Sequence, residues 1–306
     1  MVHHGLIKGM KIEGKSITMP CEPCLKGKQT HTEIQHSTET RTTSVLEQVF
    51  SDICGKMSTC SHGGYEYFVA WTDDAFHKVH ISCLHAKLDV LQKLKDFVSW
   101  IELETGQCVK ILCSNGGGKY TSTVIAGFLK NKGIKHELTM PNTPQHNGIA
   151  KCMNHTLLDR VRSILIDAGL PKFYWHNALQ HAALIHNVSS TQALDNQTPE
   201  EAWSGNKPNV SRLHVFSCKA FVHIPPSLHT KLNSWSLICI HLGFAPEHKA
   251  YHLVHHPIRC FLTSCDIIFN KGATHLLLNV WSLKLICRNT QSTYWPPIMR
   301  RTKCPL

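Results

Sequence analysis

The chain has 306 residues, 42% of them hydrophobic, and sets 32 basic side chains against 21 acidic ones for a formal charge of +11. That length holds one large domain and a small one, and the charge favours an anionic partner, nucleic acid first. The longest apolar run, around Leu276 to Ile286, is too short and too polar to span a bilayer, which argues against a membrane protein. The opening Met1-Val2-His3-His4-Gly5 is no signal peptide. Fourteen scattered cysteines then imply free thiols in an intracellular, reducing compartment, nucleus or cytoplasm.

In chain order, Cys21-Glu22-Pro23-Cys24 has the spacing of half a tetrahedral zinc site, with Lys26 and Lys28 beside it as candidate nucleic-acid contacts. Two more ligands are required. His3 and His4 are poor substitutes, because adjacent side chains on a helix point in different directions. Zinc at Cys21 and Cys24 is therefore expected to be weak. Residues 32–44 are rich in Thr, Ser and Glu and read as a linker. Val45 to Ile53 predicts a buried strand with Asp52 near its end, and Tyr65 to Thr72 and Lys78 to Leu84 predict two more in an antiparallel meander. Asp73-Asp74 fits a polar hairpin turn better than a catalytic pair. Leu88, Leu91, Leu94, Phe97, Val98 and Ile101 recur at helical spacing up to a Gly106 cap.

Gln107 to Leu112 predicts a fourth strand and Cys113 to Tyr120 a glycine turn. A short helix, Thr121 to Asn131, follows with Gly133 as its cap. Lys135 to Met140 predicts a fifth strand. Ile149 to Ala168 predicts a long helix whose apolar face is Leu157, Leu158, Val161, Ile164 and Leu165. Pro171 starts another, carrying Trp175, Ala178, Leu179, Ala182 and Ile185. Thr198 to Pro208 marks a connector. Beyond it, Phe216-Ser217-Cys218-Lys219-Ala220-Phe221 opens an all-β segment that runs to Asn270. The tail, 271–306, matches no pattern.

The stretch from Cys113 to Lys151 organises the chain. It opens Cys113-Ser114-Asn115-Gly116-Gly117-Gly118-Lys119-Tyr120 and closes Pro144-Gln145-His146-Asn147-Gly148-Ile149-Ala150-Lys151. It resembles the integrase of copia-type retrotransposons, whose pattern is Ser-Asp-Asn-Gly-Gly-Glu-Tyr and then Pro-Gln-Gln-Asn-Gly-Val-Ala-Glu-Arg. Asn115 and Lys151 keep the family's separation between its second and third catalytic carboxylates. Asp52, in Phe50-Ser51-Asp52-Ile53-Cys54-Gly55, stands where the family has its first. The resemblance implies an RNase H-like α/β core at 40–190, a mixed five-stranded sheet with helices. A connector at 191–215 and a small SH3-like β-barrel segment at 216–270 follow, and 1–35 is the remnant of a zinc module. It further implies DNA as partner, Mg²⁺ or Mn²⁺ as cofactor, and a homo-oligomer.

The chemistry departs from that pattern. Strand transfer uses two divalent metals to activate the attacking oxygen and steady the leaving one, and Mg²⁺ takes hard oxygen ligands, chiefly carboxylates. Asp52, Asn115 and Lys151 together carry no net charge where the family carries three negative ones. A lysine near the metals costs about 4 kcal/mol per unit-charge pair at about 4 Å and an effective dielectric of about 20. These substitutions predict poor metal binding and lost catalysis. Where the family has Arg, this chain often has His or Cys, as at His31, His77, His155, His214, Cys113, Cys152 and Cys265. Asn115 and Asn233 replace Asp, Lys119 and Lys151 replace Glu, and Ser217 replaces Gly. Each is a single C→T or G→A transition, as cytosine deamination of an element copy would leave; Gly116, where the family has Asn, is not. Neutral His does not grip phosphate as Arg does, so DNA affinity is expected to fall below what the charge suggests. Gln145 and Asn147 either line a DNA groove or, for Asn147, cap the following helix. Three readings stay open: an active integrase, a non-catalytic nucleic-acid-binding protein, and a translated fragment without function.

Overall fold

The computed structural model describes residues 42–115, 120, 122–138, 148–228, 231–245, 249–255 and 260–270. Cys21, Cys24, Lys26, Lys28, Gln145 and Asn147 lie outside them, as do the expected zinc module at 1–35 and the tail at 271–306.

The first sheet has five strands: β1 (Gln48–Cys54), β2 (Tyr67–Asp73), β3 (Val79–Leu84), β4 (Ile111–Ser114) and β5 (Lys135–Leu138), in the order β3-β2-β1-β4-β5. β1, β2 and β3 form an antiparallel meander, while β4 and β5 join in parallel. This is the mixed sheet of an RNase H-like core. Alternate residues of β2 supply the two sides of it. Val69 and Trp71 pack under α1 (Val90–Thr105) and α2 (Thr123–Lys132). Phe68 and Ala70 pack under α3 (Gly148–Asp167) and α4 (Trp175–Val188). A buried sheet therefore separates two helical layers.

Helix ends follow local chemistry. Gly106 (φ 68°) and Gly133 (φ 71°) adopt the left-handed conformation that closes α1 and α2, and glycine reaches it without steric cost. The Ser122 hydroxyl accepts from the Ile125 N–H at the start of α2. Leu88, expected on the apolar face of α1, is 73% exposed instead. The chain turns there in a 3₁₀ segment, Lys87–Asp89, because the Asp89 carboxylate accepts from the His85 and Ala86 N–H groups. The fourth strand begins at Ile111 rather than Gln107, since hydrogen bonding to the edge of β1 starts only where the Lys110 N–H meets the Leu46 carbonyl.

Asp73 and Asp74 serve the turn. Asp73 accepts from the Leu46 N–H through Oδ1 (3.0 Å) and from the Phe76 N–H through Oδ2 (2.9 Å). Leu46 sits at φ 59°, a conformation unfavourable for leucine, and this hydrogen bond helps hold it there. Asp74 holds Thr42 through both its N–H and hydroxyl. Asp73→Ala strands two backbone donors and should cost about 2–4 kcal/mol. Urea unfolding checks it, and a loss below about 0.5 kcal/mol would remove Asp73 from this role.

The expected connector is not wholly irregular. It contains a short helix, α5 (Pro199–Ser204), with Thr198 as N-cap and Pro199 in its first turn. Beyond it a second sheet, entirely antiparallel, runs β10-β6-β7-β8-β9. Its strands are β6 (Lys219–His223), β7 (Ser236–Ala245), β8 (Ala250–His255), β9 (Cys260–Ser264) and β10 (Ile267–Asn270). Inside this sheet Ala220, Val222, Cys239, Tyr251 and Leu253 form its own core. Phe216, Ile240, Leu242 and Val254 reach out to pack with α3 and α4, so the two sheets share one apolar seam.

Candidate functional site

Parallel pairing builds the site. Ser51 of β1 lies opposite Ser114 of β4. Asp52 and Asn115 are the next residues along the chain, so the register sets them side by side. The Asn115 Nδ2 donates to Asp52 Oδ1 at 2.6 Å. α3 then crosses this end of the sheet. Its residues Lys151 and Asn154 are three apart, hence on one face. Asn154 Nδ2 donates to Asp52 Oδ2 at 3.3 Å. Lys151 is solvent-exposed, yet near enough for its charge to act on Asp52. All three expected positions therefore converge.

Asp52 is nearly buried. Burial pushes its carboxyl above the usual carboxylate range, against the opposing pull of the Lys151 charge and the Asn154 hydrogen bond. Next to it the Ser51 hydroxyl meets the buried Tyr120 hydroxyl. Ser114 Oγ contacts His136 Nε2 at 2.9 Å on β5. Asn154 was not foreseen. Its only sequence signal is its place one helical turn after Lys151.

The donor set is a poor match for divalent metals. Of the three expected positions only Asp52 is a carboxylate, and each of its oxygens already accepts from an amide N–H. Asn115 and Asn154 offer neutral carbonyl oxygens, and Asn154 Oδ1 is buried without a hydrogen-bond partner among the described residues. Lys151 adds a cation where a third carboxylate would ligate. Two metal ions demand more oxygen and more negative charge than this. Among the described residues no group of three His, Cys, Asp or Glu side chains is arranged to hold a metal ion.

Residues 218–276 match the retroviral polymerase SH3-like domain family, which covers the second sheet. Over 253 residues, 83% of this chain, the sequence is 40% identical to a retrovirus-related Pol polyprotein from transposon TNT 1-94 of Nicotiana tabacum. The chain's homologues are copia-type Pol polyproteins. A second of these, from transposon RE2 of Arabidopsis thaliana, is 27% identical over the same share of the chain. The Ty1-DR6 Gag-Pol polyprotein of Saccharomyces cerevisiae is 26% identical over 56% of it. The chain spans only a small part of these Pol polyproteins, 19%, 17% and 10% of their lengths, and that part is the integrase region. Among solved structures, a simian T-cell lymphotropic virus intasome in complex with PP2A regulatory subunit B56 gamma aligns with 83% of this chain and 87% of that one, at a TM-score of 0.48 and 15% identity. No helix among the described residues is long and apolar enough to cross a membrane.

Proposed function

We propose that this integrase-derived chain binds nucleic acid without catalysing strand transfer. The observation that carries the reading is the amide-to-carboxylate hydrogen bond from Asn115 to Asp52. Where the copia pattern has two acids that share metal ions, this chain has an acid and an amide that satisfy each other. The Lys151 ammonium supplies the remaining counter-charge locally, so Mg²⁺ and Mn²⁺ bind poorly. The charge of +11 supports DNA as the partner. Homo-oligomerisation follows from the resemblance, and size-exclusion of the purified chain with and without DNA tests it.

The decisive experiment pairs two assays on one preparation. With a labelled duplex and Mg²⁺ or Mn²⁺, no nicking or strand transfer is expected. In a mobility shift, affinity should fall about a hundredfold between about 50 and 200 mM salt if about four phosphates are contacted. Metal-dependent strand transfer would overturn the catalytic half of the proposal. Absence of a shift at low salt would overturn the binding half.

A further inference from the structure

The seam between the second sheet and the core runs along α4, and histidines line both flanks of it. On one flank His62, from the β1–β2 loop, packs against His176 of α4 with ring centroids 4.2 Å apart and planes tilted by 32°, and against Phe261 of β9 at 4.0 Å with planes tilted by 60°. His252 of β8 acts electrostatically on both histidines. On the other flank His241 of β7 lies 6.2 Å from His181 of α4 and 6.2 Å from His214. Each flank thus gathers three histidines from both sides of the joint.

We propose that these two histidine clusters form a proton-operated latch that holds the second sheet on the core at neutral pH and releases it in mild acid. At His241 and His176 the geometry favours the neutral ring. The His241 Nδ1 sits 3.1 Å from the Val215 carbonyl, which makes it the donor. Its Nε2 is then the bare nitrogen, and it is buried with no hydrogen-bond partner among the described residues; so is His176 Nδ1. A proton added at either place brings a charge beside other imidazoles into a buried site, and at His241 the Val215 and Gly243 backbone offsets only part of that. The groups facing these rings are on every element of the joint. His176 faces His62, His252 and Tyr65, and His62 faces His252 and Tyr174. His181 faces His241 and Phe216. His241 faces His181, His214 and Tyr251, and Arg212 acts on Tyr251 in turn. None of these neighbours can neutralise an imidazolium.

Burial accordingly pushes His62, His181 and His241 down to about 4 and His176 down to about 3. A released ring titrates near its ordinary value of 6.5. The closed joint therefore binds fewer protons than the open one between those values. Its stability is full above about pH 6.5 and falls as pH drops below it. A ring that moves from about 4 to about 6.5 on release shifts the equilibrium about 30-fold towards the open form at pH 5.

Hydrogen exchange of the full chain at pH 7.5 and 5.0, corrected for the intrinsic rate, tests the latch. The expected result is lost protection at pH 5.0 along α4 and β7–β8 while α1 and β2 stay protected. Opening of α1 and β2 together with the seam, or no change at the seam, would overturn it. His62→Phe with His176→Phe should move the release midpoint down by about half a pH unit or more, and an unmoved midpoint counts against the latch. Should that variant fail to fold, an NMR titration of the wild-type histidine Cε1–H signals decides. Protonation of His62, His176, His181 and His241 in one cooperative step that coincides with the loss of seam protection supports the latch, and independent titration of each ring near 6.5 with the seam still protected refutes it.

Discussion

Trp71→Ala should remove about 4 kcal/mol of stability, a large share of the roughly 5–15 kcal/mol that a folded protein has in total. Trp71 is 1% exposed, on β2 near the middle of the sheet. Its ring stacks on Phe97 of α1 at 5.0 Å with planes only 8° apart. Its Nε1–H donates to the Ser82 hydroxyl on β3 at 3.2 Å. One side chain thus joins strand, strand and helix. Alanine would forfeit the buried area, leave a cavity against Leu94 and Val98, and orphan the Ser82 acceptor. Trp71→Phe should retain more than half of the stability, because it keeps the stacking and most of the volume. Leu88→Ala, at an exposed site one turn before the same helix, should stay within about 0.5 kcal/mol of wild type. Urea denaturation of the three variants reads the difference. Equal midpoints for Trp71→Ala and Leu88→Ala would show that the sheet-to-α1 core does not carry the fold.

The strands and long helices were legible from their apolar patterns. Phe68 to Trp71 is a continuous apolar run, as a strand buried on both sides shows, and Leu157, Val161 and Leu165 recur at helical spacing along α3. Boundaries were less legible because neighbours set them. Gln107 to Leu112 alternates well enough for a strand, but hydrogen bonding to the β1 edge starts only at Lys110. α5 was overlooked although Thr198-Pro199-Glu200-Glu201 carries a helix start, with the Thr198 hydroxyl accepting from the Glu201 N–H. At the site, the separation of Asn115 from Lys151 was visible, whereas the use of both Asp52 oxygens by Asn115 and Asn154 depends on β1–β4 register and the placement of α3. The pairing of histidines across the seam is wholly tertiary, because His62, His176 and His252 are far apart in sequence.

Asn115→Asp combined with Lys151→Glu should turn a self-satisfied polar cluster into a metal-dependent one. In chelator the double variant gathers three carboxylates where wild type has one. At an effective dielectric of about 20, each like-charge pair at about 4 Å costs about 4 kcal/mol before relaxation. Exposure at position 151 reduces this, and Asp52, already raised by burial, takes up a proton more readily still. The net result expected is a thermal midpoint about 5 °C below wild type. Adding Mg²⁺ should recover that loss, since an ion bound only by the folded state stabilises it. The wild-type midpoint should ignore Mg²⁺. Either substitution alone should respond weakly, because two metals need the full set of oxygens. Nicking or strand transfer in the double variant is expected to be measurable but weak, with Cys152 beside the site and His or Cys at positions where the copia pattern has Arg. The thermal readout separates these causes: a variant that binds Mg²⁺ yet transfers no strand has a restored centre and poorly held DNA. A double variant whose midpoint is indifferent to Mg²⁺ would show that Asp52, position 115 and position 151 do not form a metal site in this fold. Strong activity in the unreverted chain would be more damaging, since catalysis would then be running on other residues.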